Sequence, residues 1–105
     1  MIARPPVPVG IAILGAAHMP HAWSYARAAT ESAATTLVGV HDVDEAMAQW
    51  IRQDFDASYF ADVEALLALP DLDAVVICSE TATHRRYAEL AASAGKHVLC
   101  EKPIA

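Results

Sequence analysis

Val9-Gly10-Ile11-Ala12-Ile13-Leu14-Gly15 is the stretch whose reading decides the fold of this chain. It closes a near-continuous apolar run from Val7 to Leu14, which suits a strand buried on both faces of a parallel sheet; Pro8 is tolerable only near the start of such a strand. Gly15 permits a tight turn. From Pro20 the period changes, with Ala22, Tyr25, Ala26 and Ala29 at i, i+3, i+4 and i+7, so a helix is predicted with Pro20 in its first turn. Strand, glycine turn and helix together open a βαβ unit.

The same grammar repeats outward from there. Thr36 to His41 reads as a second strand, and Asp44 is placed to cap a helix with Met47, Trp50 and Ile51 on one face. Ala57 to Phe60 adds a short strand, after which Asp62 caps a helix carrying Val63, Leu66 and Leu67 and stopped by Pro70. Asp73 to Cys78 repeats the buried-strand pattern. Thr83 can cap a helix in which Tyr87, Leu90, Ala91 and Ala94 share a face, Gly95 is a natural stop, and Lys96 to Cys100 is the last strand. This alternation predicts an α/β fold: a Rossmann-like doubly wound parallel sheet of about five to six strands with helices on both faces, one domain over residues 1–105.

Composition narrows the function classes. A formal charge of −6 argues against a nucleic-acid surface, which needs clustered Lys and Arg. No apolar run approaches the roughly 20 residues that span a bilayer, and Met1 to Pro8 holds no stretch of signal-peptide length, so a cytoplasmic protein without membrane contact is expected. Cys78 and Cys100 each sit in an apolar run, where buried free thiols are expected. His18 and His21 are spaced i, i+3, but no neighbouring carboxylate or cysteine completes a coordination set, so no metal is expected.

In an open α/β sheet, ligands sit beyond the carboxyl ends of the strands. Gly15-Ala16-Ala17-His18-Met19-Pro20 occupies the place of a GxGxxG fingerprint, where amides at a helix start can face a pyrophosphate. Only the first glycine is present; Ala17 is small enough for close approach, while Pro20 removes an amide. His18 is expected to line the cofactor cleft. Asp42 lies at the end of the second strand, 27 residues after Gly15, where an acid accepts hydrogen bonds from ribose hydroxyls. Its charge repels a 2′-phosphate and no Arg follows it, which favours NAD over NADP; helix capping is the alternative role for Asp42 or Asp44. Ser79-Glu80-Thr81-Ala82-Thr83-His84 follows the fourth strand at the same cleft. Its hydroxyls can meet ribose or phosphate, capping explains Thr83 equally well, and a structural role stands open for His84. Glu101-Lys102, directly after the last strand, reads as a charged pair at the reaction end of the cleft.

The combined pattern resembles the N-terminal domain of the glucose-fructose oxidoreductase, inositol dehydrogenase and rhizopine-catabolism family (Gfo/Idh/MocA). The matching residues are Val9 to Gly15, Asp42, Asp73 to Cys78, His84 and above all Ala94-Gly95-Lys96-His97-Val98-Leu99-Cys100-Glu101-Lys102-Pro103. The resemblance implies that Lys102 lies near nicotinamide and substrate and assists hydride transfer, that Glu101 helps bind cofactor, and that Ser79, Glu80 and Thr81 form a cofactor-contacting loop. With Gly15, Ala17, His18, Met19, Asp42 and His84 these complete the expected cofactor site. Two departures are Ala17, where a second glycine is usual, and Glu80, where proline is common. The resemblance also implies a C-terminal domain that supplies substrate contacts and oligomerisation and has no counterpart in these 105 residues, so another domain or chain, or a homo-oligomer, is expected as partner. The implied activity is hydride transfer between nicotinamide and a sugar, polyol or related hydroxyl compound. The alternatives are a stand-alone nucleotide-binding or interaction module without turnover, and a domain of an NAD-using glycosidase.

Overall fold

The computed structural model describes residues 8–17 and 19–101, without the side chain of Met19. Val7, His18 and Lys102, each part of a reading above, lie outside the described residues. The chain runs β1 (Val9–Leu14), α1 (Met19–Glu31), β2 (Thr35–His41), α2 (Glu45–Phe55), β3 (Ser58–Tyr59), α3 (Val63–Leu67), β4 (Ala74–Ile77), α4 (Thr81–Ser93) and β5 (His97–Cys100). The five strands form one sheet in the order β3-β2-β1-β4-β5, and every pairing is parallel. Chain order reverses between β1 and its neighbour β4, so the carboxyl ends of these two strands flank the switch point where ligands of open α/β sheets bind.

Period-two alternation on the central strands divides the core into two layers. Ala12 and Leu14 of β1, with Val75 and Ile77 of β4, pack under Leu66 and Leu67 of α3 and Tyr87 and Ala91 of α4. Ile13 of β1, with Val76 and Cys78, faces the other way against Ala22 and Ala26 of α1 and Ala48 and Ile51 of α2. Both faces of β1 are therefore dry, which is why its sequence shows no polar alternation. The alanines of α1 have no side chain beyond Cβ, so the helix can lie close to the sheet.

Two helix readings need correction. On α2 the buried stripe is Ala48 and Ile51, whereas Met47 and Trp50 stand 36% and 61% exposed. The apolar spacing was real, but those two side chains point to solvent and cleft because the alanine, not the larger residues, meets α1 and the sheet. Nor is Thr83 the cap of α4: the helix begins two residues earlier with Glu80 at its N-cap position, which makes no side-chain cap bond. Thr83 lies inside the first turn, its hydroxyl 2.7 Å from Ser79 Oγ and 2.8 Å from the Glu80 carbonyl. Asp44 and Asp62 do cap their helices, accepting from the amides of Ala46 and Glu64.

Gly15 has φ +81°, and a Cβ added there would stand 2.5 Å from Ser79 Cα, inside the next strand's terminal loop. Gly95 has nearly the same conformation, φ +77°, yet a Cβ there meets nothing within 4 Å. The pair separates conformational cost from steric cost. Gly95→Ala should lower unfolding free energy by about 1–2 kcal/mol, the left-handed penalty alone, and Gly15→Ala should cost roughly a further 1–3 kcal/mol of overpacking. Urea unfolding of both variants checks this; equal losses would show that the contact with Ser79 is not tight.

Candidate functional site

The end of β1 is fastened on both sides. On one side the Gly15 amide donates to the His41 carbonyl at 2.7 Å, and the Ala16 amide donates to Asp42 Oδ2 at 2.8 Å. Asp42 Oδ1 accepts from the Asp44 amide at 2.9 Å, and the Tyr59 hydroxyl donates to the Asp42 carbonyl at 2.6 Å. Asp42 is only 8% exposed, so this acid both shapes the glycine turn and presents an edge to the cleft. On the other side the Cys78 amide donates to the Leu14 carbonyl at 2.9 Å, leaving Ser79 against Gly15. His84 is fully buried and bonds the Ser79 carbonyl through Nε2 at 2.7 Å. A carbonyl only accepts, so Nε2 carries the proton. His84 thereby holds the Ser79 loop from behind rather than lining the cleft.

Between these two loops opens a cleft of about 230 Å³. Gly15 and Ala17 form its floor; Asp42, Val43, Asp44 and Met47 form one wall; Ser79, Glu80, Thr83, Arg86 and Tyr87 form the other. A larger hollow of about 510 Å³ runs along α2 past Glu45, Gln49 and Arg52, but it lies away from the switch point and collects no group from the strand ends. Tyr87 is fixed across the sheet by His41, whose Nδ1 lies 2.7 Å from the Phe60 carbonyl and whose Nε2 lies 3.2 Å from the Tyr87 hydroxyl. The Phe60 carbonyl can only accept, so Nδ1 carries a proton and donates to it, leaving Nε2 to share a hydrogen bond with the Tyr87 hydroxyl. Burial pushes the Tyr87 phenol above its usual range, which keeps it a donor.

A second cluster joins α1 to the end of β5. His21 Nδ1 stands 3.1 Å from Glu101 Oε2, and the Tyr25 hydroxyl donates to the same carboxylate, whose side chain is 15% exposed. That hydrogen bond, with burial and the carboxylate charge behind it, raises the Tyr25 pKa. Cys78 lies fully buried nearby, its thiol pushed up to about 12 by burial first and by Glu101 and Cys100 after it. Both cysteines are free, Cys100 being partly buried. Thr81 opens α4 at the mouth of the Ser79 loop. Among the described residues no three of His, Cys, Asp and Glu gather to hold a metal, and no helix is long and apolar enough to cross a membrane.

Residues 9–105 match the family model described as an oxidoreductase family with an NAD-binding Rossmann fold, Gfo/Idh/MocA. The chain belongs to that family. Among curated Gfo/Idh/MocA relatives, inositol 2-dehydrogenase of Acidothermus cellulolyticus is 39% identical over 100 residues, 94% of this chain and 28% of that enzyme. Inositol 2-dehydrogenase of Agrobacterium fabrum is 44% identical over 71 residues, 66% of this chain and 21% of the enzyme. A solved putative myo-inositol dehydrogenase from Sinorhizobium meliloti superposes with TM-score 0.80 at 38% identity, covering 91% of this chain and 28% of that one. A putative NADPH-dependent oxidoreductase from Desulfitobacterium hafniense gives TM-score 0.84 at 32% identity, covering 94% and 28%. The chain thus spans between a fifth and a third of the length of these relatives. It is the nicotinamide-dinucleotide-binding Rossmann domain of the family.

The structure gathers Gly15, Ala17, Asp42, Ser79 and Glu80 at one cleft, keeps His84 behind it and ties Glu101 to α1. It adds Val43, Met47, Arg86 and Tyr87 to the cleft walls, and His21 and Tyr25 to Glu101, none of which the sequence reading singled out for the site. An apolar residue directly after the acid at the end of β2 was the signal available for Val43, whereas Met47 lies in the first turn of α2 and carried none. The Tyr25–Glu101 contact is directly testable. Glu101→Gln removes the charge that disfavours the phenolate, so the Tyr25 pKa should fall back toward its ordinary value near 10. Ultraviolet titration at a phenolate wavelength, with Tyr25→Phe to assign the transition, follows it; an unchanged profile would deny the contact.

Proposed function

We propose that the cleft between the Asp42 and Ser79 loops takes the adenosine half of the dinucleotide, that NAD is preferred to NADP, and that the domain serves hydride transfer to or from a sugar, polyol or related hydroxyl compound. The observation that carries this is the Asp42 carboxylate at the end of β2. Each of its oxygens accepts one backbone amide, so each retains capacity for a second donor, and two ribose hydroxyls are such donors. A 2′-phosphate in the same place would face the charges of Asp42 and Asp44 across a short distance. Supporting the site further, α1 carries no acidic residue in its first turn to compete with a pyrophosphate for its amides.

When bound, the nicotinamide supplies the hydride chemistry. This chain's residues bind and orient: Asp42 would hold the ribose, the amides from Ala17 onward would meet the pyrophosphate, and the Ser79–Thr81 loop would line the path toward β5. His21 and Tyr25 fix Glu101, and with it the start of the segment that carries Lys102. Lys102 would stabilise charge on the substrate oxygen and pass its proton. Relatives named inositol 2-dehydrogenase favour a polyol among the substrate classes. Substrate contacts would come from a further domain or chain, and the exposed Val98 and Leu99 of edge strand β5 suit a surface that another polypeptide covers.

Calorimetric titration should show NAD binding more tightly than NADP. Equal or tighter NADP binding would remove the role assigned to Asp42. In the complete enzyme, Lys102→Met should lower kcat by about 10² or more with cofactor affinity nearly unchanged, the loss expected for a group acting only in the reaction. Steady-state kinetics with a polyol panel measures it, and an undiminished kcat would take Lys102 out of the chemistry.

A further inference from the structure

Three of the described arginines are paired with a glutamate: Arg27 with Glu31 at 2.9 Å, Arg52 with Glu45 at 2.5 Å and Arg85 with Glu89 at 2.8 Å. Arg86 has no such partner among the described residues. Its guanidinium lies 5.7 Å from the centroid of the Tyr87 ring, and the side chain forms part of the cleft wall. Across the cleft stand Val43, 81% exposed, and Met47, 36% exposed. Both are apolar side chains left uncovered on a wall they share with Asp42 and Asp44. Tyr87 itself is held by His41, so the platform beneath Arg86 is rigid.

We propose that Arg86 is the residue that clamps the adenine ring, its guanidinium plane covering one face while Val43 and Met47 cover the other. This rests on the cofactor reading above. Val43 directly follows Asp42, so a ribose held by that carboxylate places its base at the next residue along the wall. A flat heterocycle with apolar faces matches a slot with a sulfur-bearing and a branched aliphatic side chain on one side and a planar delocalised cation on the other. The competing use of an unpaired arginine here is to receive a 2′-phosphate. Asp42 and Asp44 on the facing wall oppose that, since they repel an anion while leaving a neutral base unaffected.

Titrations of NAD, NADP and ADP-ribose into the chain and into Arg86→Ala, Arg86→Lys and Arg85→Ala decide between them. Arg86 is exposed, so its variants keep the core intact, and circular dichroism verifies this. Losing one stacking face should weaken ADP-ribose and NAD alike by about tenfold. Arg86→Lys keeps the charge without the plane and should bind close to the alanine variant, while Arg85→Ala, whose parent side chain is engaged by Glu89, should bind as the unaltered chain does. Unchanged ADP-ribose affinity in Arg86→Ala overturns the proposal. So does full affinity in Arg86→Lys, or a loss confined to NADP, which would make Arg86 a phosphate reader. If the unaltered chain binds neither NAD nor ADP-ribose, the cofactor reading itself fails and this proposal with it.

Discussion

The tight passage of the last turn of β1 between its two neighbours is the constraint on which the rest depends. Gly15 must take a positive φ and lie against Ser79 with no side chain of its own, while the next amide is captured by the Asp42 carboxylate. Those two contacts set the distance between the loops that follow β2 and β4, and hence the width of the cleft. A hydrogen bond from a backbone amide to a carboxylate contributes about 1.5–3 kcal/mol, and Asp42 makes two. The same side chain that offers an edge to a ribose therefore holds the turn that would face the pyrophosphate. Substitution of Asp42 disturbs geometry as well as recognition, which is why binding selectivity in the unaltered chain is the cleaner observable.

The fold was legible because both faces of the central strands are covered. A strand with no polar alternation suits the centre of a layered α/β molecule, and Val9 to Leu14 and Asp73 to Cys78, alternating with helical patterns, both have that character. Element ends at Asp44, Asp62 and Gly95 were legible because capping chemistry is local. Where the reading slipped, tertiary contact overrode local pattern. Thr83 looked like a cap, but the Ser79 loop, gripped by His84, lets α4 begin at Thr81. Met47 and Trp50 looked like core because they are large and correctly spaced, yet the small Ala48 is what fits beneath α1.

The site was half legible for a related reason. Gly15, Asp42 and the Ser79 loop sit at strand ends, and strand ends are fixed by topology alone. The partners that lie on helices were not, since nothing in sequence aligns Tyr25 with Glu101 or Tyr87 with His41 until the sheet order is known. These helix-borne groups connect the ends of the cleft. Tyr87, fixed by His41, stands at the proposed adenosine end, and His21 with Tyr25 ties α1 to the end of β5. A domain built this way offers a preformed surface to a long, bipartite cofactor, with little left to order on binding.

The central claim is that this surface, at the carboxyl ends of β1, β2 and β4, is where the dinucleotide lies. Amide chemical-shift mapping with NAD tests it most directly. The account predicts that the largest perturbations fall on Gly15, Ala17, Asp42, Val43, Ser79, Glu80 and Arg86, while Leu72, Asp73 and Lys96 at the amino ends of the strands stay unmoved. Perturbations centred on those amino ends or on the hollow along α2, with the Asp42 and Ser79 loops silent, would contradict it.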